Sequence, residues 1–406
     1  MKTHLSAPPL SLFEFVALMA LLSSITAFSI DAMLPALPQI AKDLAVANPN
    51  QVQLIIAVMM LGLSIGQLFY GPFCDSKGRK PTLYLGMSIF FVGSILCLSA
   101  TNLLTMIIGR FIQGFGLGAT RVVSAALIRD TYSGPQMSRI MSLIMVMFIW
   151  VPMVAPLIGQ FIISFATWPM IFIVIASFAL IGIVWFAIRQ QETLSSSHQK
   201  PFTLLEVRKA FQEVLTHKVV MACTLAQGLV MGAFLAYLVA SQAIFERTYG
   251  IVDNFPLYFA ILALAFGVGS FANSSLVVRH GMKKMVSFSL PVFVIFSLLL
   301  LILSLAYKGN PPFYAFMGLT IPIFLAVNVM FTNFNAMAMQ LLGHIAGVGA
   351  AVVGSVSTVL GVACSVIIGQ QFTGTLTYFY GSYMAMAFFL FFLVKYIMDN
   401  FQEPAQ

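Results

Sequence analysis

Gly71-Pro-Phe-Cys-Asp75-Ser-Lys-Gly78-Arg79-Lys80-Pro-Thr-Leu83 sets one acid and three bases between two runs of about twenty apolar residues. Each run is long enough to cross a hydrocarbon core about 30 Å thick, so the charged stretch reads as a tight turn at a membrane surface. The rest of the chain agrees. Of 406 residues, 60% are hydrophobic and only 8% charged, against roughly 25% charged in an ordinary soluble domain. That balance excludes a water-soluble globule and makes the chain an integral membrane protein.

Apolar runs bounded by charged, proline-rich or asparagine-rich breaks fall at 12–34, 51–72, 82–100, 103–126, 139–164, 168–188, 218–245, 255–277, 285–306, 312–337, 344–370 and 376–398. Twelve helices are predicted, because lipid leaves no partner for bare backbone and runs this long and continuous exclude barrel strands. With the 71–83 turn in the cytosol, 15 of the 20 Lys and Arg lie on that side. Only Lys42, Arg247 and Lys308 lie on the other, and Arg110 and Arg121 fall within a span. The asymmetry puts both termini in the cytosol. The net charge of +8 is therefore a topology signal, and no nucleic-acid partner is expected. Cys74, Cys97, Cys223 and Cys364 have no metal-ligand spacing, which predicts free thiols and no metal. Met1 to Ser11 carries one base, Lys2, before an apolar run longer than a signal peptide, and reads as the approach to an uncleaved first helix.

The long polar interval from Arg189 to His217 holds Gln190-Gln-Glu-Thr-Leu-Ser-Ser-Ser-His-Gln-Lys200 and then a mildly amphipathic Phe202 to Leu215. It divides the chain into a six-helix bundle over 1–189, a cytosolic linker over 190–217 and a second six-helix bundle over 218–406. Between the second and third spans of the second half, Val278-Arg279-His280-Gly281-Met282-Lys283-Lys284 faintly repeats the opening pattern. Weak internal symmetry of this kind marks transporters built from repeated halves, with the solute site between them near mid-membrane.

Gly-x-x-x-Asp-x-x-Gly-Arg-Lys at 71–80 resembles the signature loop of the major facilitator superfamily. Three more segments extend the likeness: Asp31-Ala-Met-Leu-Pro35-Ala-Leu-Pro38, Gly109-Arg110-Phe-Ile-Gln113-Gly114-Phe-Gly116-Leu-Gly118, and Pro152-x-x-x-Pro156-x-x-Gly159. The first resembles the bicyclomycin-resistance and CflA branch of drug:proton antiporters. The second is similar to the family's Arg-x-x-Gln-Gly segment, and the third to the antiporter motif of exporting members. Ser76 stands where a base usually follows the aspartate, and Ala155 precedes Pro156 where glycine is usual. The match covers the first half closely and the second mainly by span count.

The resemblance implies an all-α membrane protein, with twelve transmembrane helices in two pseudo-symmetric six-helix bundles, in a bacterial inner membrane and working as a monomer. It implies alternating access that exports small lipophilic drugs in exchange for protons, with the proton gradient as energy source and no cofactor. It makes Gly71, Asp75, Gly78, Arg79 and Asp130 a gate latch, in which Arg79 pairs with Asp130 and Asp75 meets a helix N-terminus of the other half. A turn that only sets topology is the alternative.

Ionisable groups inside a span are expensive and mark ion or solute paths, which singles out Asp31 and Arg110 for proton coupling. Both lie within roughly 10 Å of the outer surface by residue count, so a pair is expected. An arginine near a carboxylate favours its charged form and loss of water disfavours it, so a contact made and broken would exchange the proton. A static pair orienting two helices is the alternative. Arg121 is eleven residues, about three turns, from Arg110 and shares its face. It reads as a cavity cation for an anionic or carbonyl-rich solute, or as a side chain reaching the wet cytosolic mouth. Glu14 is its candidate partner, a second proton site, or simply solvated.

Pro152, Pro156 and Gly159 predict a helix bend. Gln113 is placed in the substrate cavity with Gln227, Tyr237, Asn328 and Asn333, among many Phe and Met of the second half. Interhelical bonding is the alternative for each second-half residue. The rival whole-chain reading is a carrier of a metabolite such as a small organic anion drawn by Arg110 and Arg121. No enzyme constellation is present, since His4, His198, His217, His280 and His344 lie in tails and loops.

Overall fold

A computed structural model describes residues 10–132, 134–194 and 204–401. Most of the linker's polar run, with His198 and Lys200, and the first nine residues, with Lys2 and His4, lie outside the described residues. Among those described, the chain forms fourteen α-helices and no strand. Eleven helices are long and apolar enough to cross a membrane, and a further helix, with an apolar stretch over 150–165, completes the expected twelve.

The helices of the first half are α1 (Leu12–Asp31), the short α2 (Leu37–Asp43), α3 (Leu54–Lys77), α4 (Arg79–Leu98), α5 (Leu103–Thr131), α6 (Gly134–Phe165) and α7 (Pro169–Arg189). Then come α8 (Leu204–Thr216), where the mildly amphipathic stretch was expected, and α9 (Lys218–Ala243), α10 (Phe255–His280), α11 (Met282–Ala306), α12 (Phe313–Leu341), α13 (Ala346–Gln370) and α14 (Thr377–Asn400). The chain divides into two compact units, Met1–Ala45 with Val58–Leu204, and Val46–Ala57 with Leu205–Gln406. Within the second unit, Asn50 donates to the carbonyls of Gln370 (3.1 Å) and Phe372 (2.7 Å) and accepts from Arg247 (2.9 Å), which anchors the turn before α3.

Asp31 is the last residue of α1. Pro35 and Pro38, which lack an amide hydrogen, each stand in the first turn of the short helix that follows, where no intrahelical donor is needed. Pro152 and Pro156 lie inside α6. The faint repeat is carried in the backbone. Gly78 (φ 105°, ψ 167°) and Gly281 (φ 78°, ψ 160°) each join the second and third spanning helices of their half in a conformation closed to a side chain. Two residues after each glycine a lysine reaches the end of the last helix of its own unit. Lys80 Nζ donates to the carbonyls of Ala187 (3.1 Å) and Gln190 (2.8 Å), and Lys283 Nζ to that of Met398 (2.9 Å). A cation on the negative end of a helix is favourable, so both halves share one pin. The Arg79–Asp130 pair has no counterpart in the second half, where Met282 follows the glycine.

Candidate functional site

Asp31 is 4% exposed, and its Oδ1 is buried without a hydrogen-bond partner. Arg110, on α5, is fully buried. Its Nη2 donates to the carbonyl of Ser29 (3.0 Å), two residues before Asp31, and its Nη1 to Gln113 Oε1 (2.6 Å). Gln113 Nε2 in turn donates to Ser94 Oγ on α4 (2.9 Å), and the guanidinium lies 5.9 Å from the Phe172 ring centre on α7. The network therefore ties α1, α4, α5 and α7 together within the first unit. The direct Asp31–Arg110 pair expected from depth is not formed: the arginine takes uncharged acceptors and leaves the carboxyl apart. Gln113 is fully buried inside this network, so it positions Arg110 and opens onto no cavity.

Gly159 of α6 faces the backbone of Ala32, the residue after Asp31, so closely that a Cβ there would overlap the Ala32 carbonyl. The third motif thus sets the position of the carboxyl through backbone contact. Gly159→Ala is expected to destabilise the fold by about 1–3 kcal/mol, as overpacking does, which thermal unfolding in detergent measures.

At the opposite end of α5, Arg79 binds Asp130 through Nε (2.7 Å) and Nη2 (3.2 Å), and reaches the Cys74 carbonyl (2.9 Å) and Asp75 (3.3 Å) through Nη1. Asp75, with its side chain 41% exposed, also lies 3.9 Å from Arg129. Gly78 is required by its positive φ, and a Cβ there would also meet the Glu192 carboxyl. A Cβ on Gly71 would meet nothing within 4 Å, so Gly71 makes no close helix approach.

Glu192 was missed in the sequence. Its carboxyl accepts the exposed amides of Arg79 (3.0 Å) and Lys80 (2.9 Å), capping α4 from 112 or more residues away, while Thr193 Oγ1 donates to Asp130 (2.7 Å). Only an acid soon after the sixth span hinted at it. Glu192→Ala is expected to destabilise the unit by about 1 kcal/mol, the usual value of a lost cap, with Glu192→Gln in between. Chemical denaturation followed by Cys74 labelling measures it.

Glu14 is neither a partner of Arg121 nor merely solvated. It is bound by Arg189 through Nε (2.6 Å) and Nη2 (2.8 Å) and by Trp185 Nε1 (3.3 Å). In the second unit, Asn328 accepts from Ser270 on α10 (2.8 Å) and Asn333 donates to Asn273 on α10 (2.7 Å), which is interhelical bonding. Gln227 and Tyr237 differ. Both are buried, with Gln227 Oε1 and the Tyr237 hydroxyl unpartnered. Tyr237 lies against Phe324 (ring centres 4.8 Å apart) and Phe259 (6.1 Å).

Two sets of apolar spanning helices, the first holding the buried Asp31 and Arg110, define a multi-pass membrane transporter. The family model of the Major Facilitator Superfamily matches residues 19–366, and the chain belongs to that family. A bicyclomycin resistance protein homolog of Haemophilus influenzae is 32% identical over 355 residues, covering 86% of this chain and 87% of its own. A multidrug resistance protein of Vibrio parahaemolyticus, MdtL, is 33% identical over 184 residues, 43% of this chain and 46% of its own. Among solved structures, the xylose transporter XylE from E. coli, in a partially occluded inward-open conformation, superposes with a TM-score of 0.71 at 13% identity over 97% of this chain and 98% of its own, a likeness of fold alone.

Proposed function

We propose that this transporter is a proton-coupled antiporter that exports small lipophilic drugs across the inner membrane by alternating access. One observation carries the coupling: Asp31 is buried with an unpartnered oxygen, one residue from the α6 contact and two from the Arg110 contact. A buried carboxylate without partners is costly and a proton removes that cost, so the site is suited to alternate between two occupancies. The drug cargo is supported by the names of the two bacterial relatives, one for bicyclomycin resistance and one for multidrug resistance. In this reading Arg79, Asp130 and Asp75 form the cytosolic latch, and Asp75→Asn is expected to slow export several-fold with insertion unchanged.

The test uses inverted membrane vesicles with a pre-set pH gradient. Bicyclomycin or neutral lipophilic antibiotics should dissipate the gradient when the wild-type chain is present. Dissipation by small carboxylates and not by drugs would favour a metabolite carrier instead.

A further inference from the structure

Arg121 is exposed near the middle of α5, ten residues from its cytosolic end; beside it Leu117, Ser124 and Ile128 are buried, and Ala125, one turn on, is exposed. It lies on the helix face of Arg110, which looks toward α1. Two turns before it on nearly the same face, Gly114 packs on the backbone of α3, and on the far side of the helix Gly116 packs on that of α4. An arginine exposed to lipid at this depth is strongly disfavoured, so the exposure points to a wetted recess in the surface of the first unit.

The chain supplies Arg121 with no countercharge from its own unit. Each acid there is committed or distant: Glu14 to Arg189, Asp43 to Trp168, Asp75 and Asp130 to Arg79, Glu192 to the start of α4, and Asp31 at the outer end of α1. Among the described residues, no ion pair or hydrogen bond engages the Arg121 side chain. The second observation stands one turn further along the same face. Ser124 is 4% exposed and its Oγ has no hydrogen-bond partner, not even the helix carbonyl that serine hydroxyls in helices commonly take. Residues three apart on a helix hold their Cβ atoms about 5–6 Å apart, so hydroxyl and guanidinium can serve one ligand together.

We propose that Arg121 and Ser124 form a binding site for the carboxylate of an apolar organic anion or zwitterion, the guanidinium taking it in fork geometry and the serine hydroxyl donating to one of its oxygens. The fork matches a planar carboxylate, and the largely apolar spans around the site favour an apolar body behind it. This rests on the reading of the chain as an exporter of small lipophilic compounds and narrows which of them it prefers.

The test is equilibrium binding of tritiated 2-naphthoate, with its uncharged analogue 2-naphthamide as competitor, to the purified full chain in phosphatidylcholine nanodiscs. Wild type should bind the carboxylate at least tenfold tighter than the amide. Arg121→Gln should abolish that preference, Arg121→Lys should keep part of it because a point charge lacks the fork, and Ser124→Ala should weaken it about threefold. Equal binding of acid and amide by wild type, binding of neither, or an undiminished preference in a monodisperse Arg121→Gln protein overturns the proposal. Displacement by inorganic phosphate as readily as by unlabelled naphthoate overturns it too, by showing a general oxyanion site. Equilibrium binding needs no gradient and no turnover, so its failure is separable from failure of proton-driven export, which the vesicle assay reads on wild type.

Discussion

Asp31→Asn is expected to reach the membrane in normal amounts and to lose gradient-driven export of bicyclomycin by at least tenfold, while still exchanging labelled for unlabelled drug when no gradient is present. The asparagine is close in size and keeps a carbonyl oxygen, so the packing against Gly159 and the Arg110 contact at Ser29 should persist. What it removes is the capacity to take and release a proton in a buried position. A structural role for Asp31 would instead lower exchange and export together. Parallel exchange and gradient-driven assays in proteoliposomes separate the two, and gradient-driven export at the wild-type level in Asp31→Asn would dismiss the coupling role.

Asp130→Asn is expected to have the largest effect on stability. The Arg79 side chain is 4% exposed and depends on a two-point contact with Asp130, with the Cys74 carbonyl and the part-exposed Asp75 as its remaining support. Removing Asp130's charge leaves the buried guanidinium without its main partner, and for this part-buried pair the expected loss is about 1–3 kcal/mol, below that of a fully buried one. Replacing both with Arg79→Gln and Asp130→Asn should therefore destabilise less than Asp130→Asn alone, a coupling that a double-mutant cycle resolves. A thiol-reactive dye can follow unfolding, since Cys74, Cys97 and Cys223 are buried. A double variant as unstable as the sum of the two single ones would show that the ion pair contributes nothing of its own.

Much of the fold was legible because lipid removes choices. A span must be a helix of about twenty residues, so apolar runs and the side taken by Lys and Arg set the number and direction of helices. The Arg79–Asp130 pair was expected from the resemblance to the signature loop, and the two side chains do meet. The Arg110 network was not. Its acceptors are the Ser29 carbonyl and the Gln113 amide, and a backbone oxygen leaves no mark in a sequence. The expected Asp31–Arg110 pair failed for that reason: depth counts place two residues at one level but not their side chains in contact. Glu192 and Arg189 were hidden because their partners, Arg79 and Glu14, lie more than a hundred residues away.

The central claim is that proton and drug exchange at Asp31, and proton release on ligand binding tests it most directly. Purified protein in weakly buffered detergent solution, mixed with saturating bicyclomycin beside a pH indicator at a pH where Asp31 is protonated in the drug-free protein, should release about one proton per chain in the wild type and none in Asp31→Asn. The same release from Asp31→Asn, or none from a wild-type protein that demonstrably binds the drug, would contradict the account.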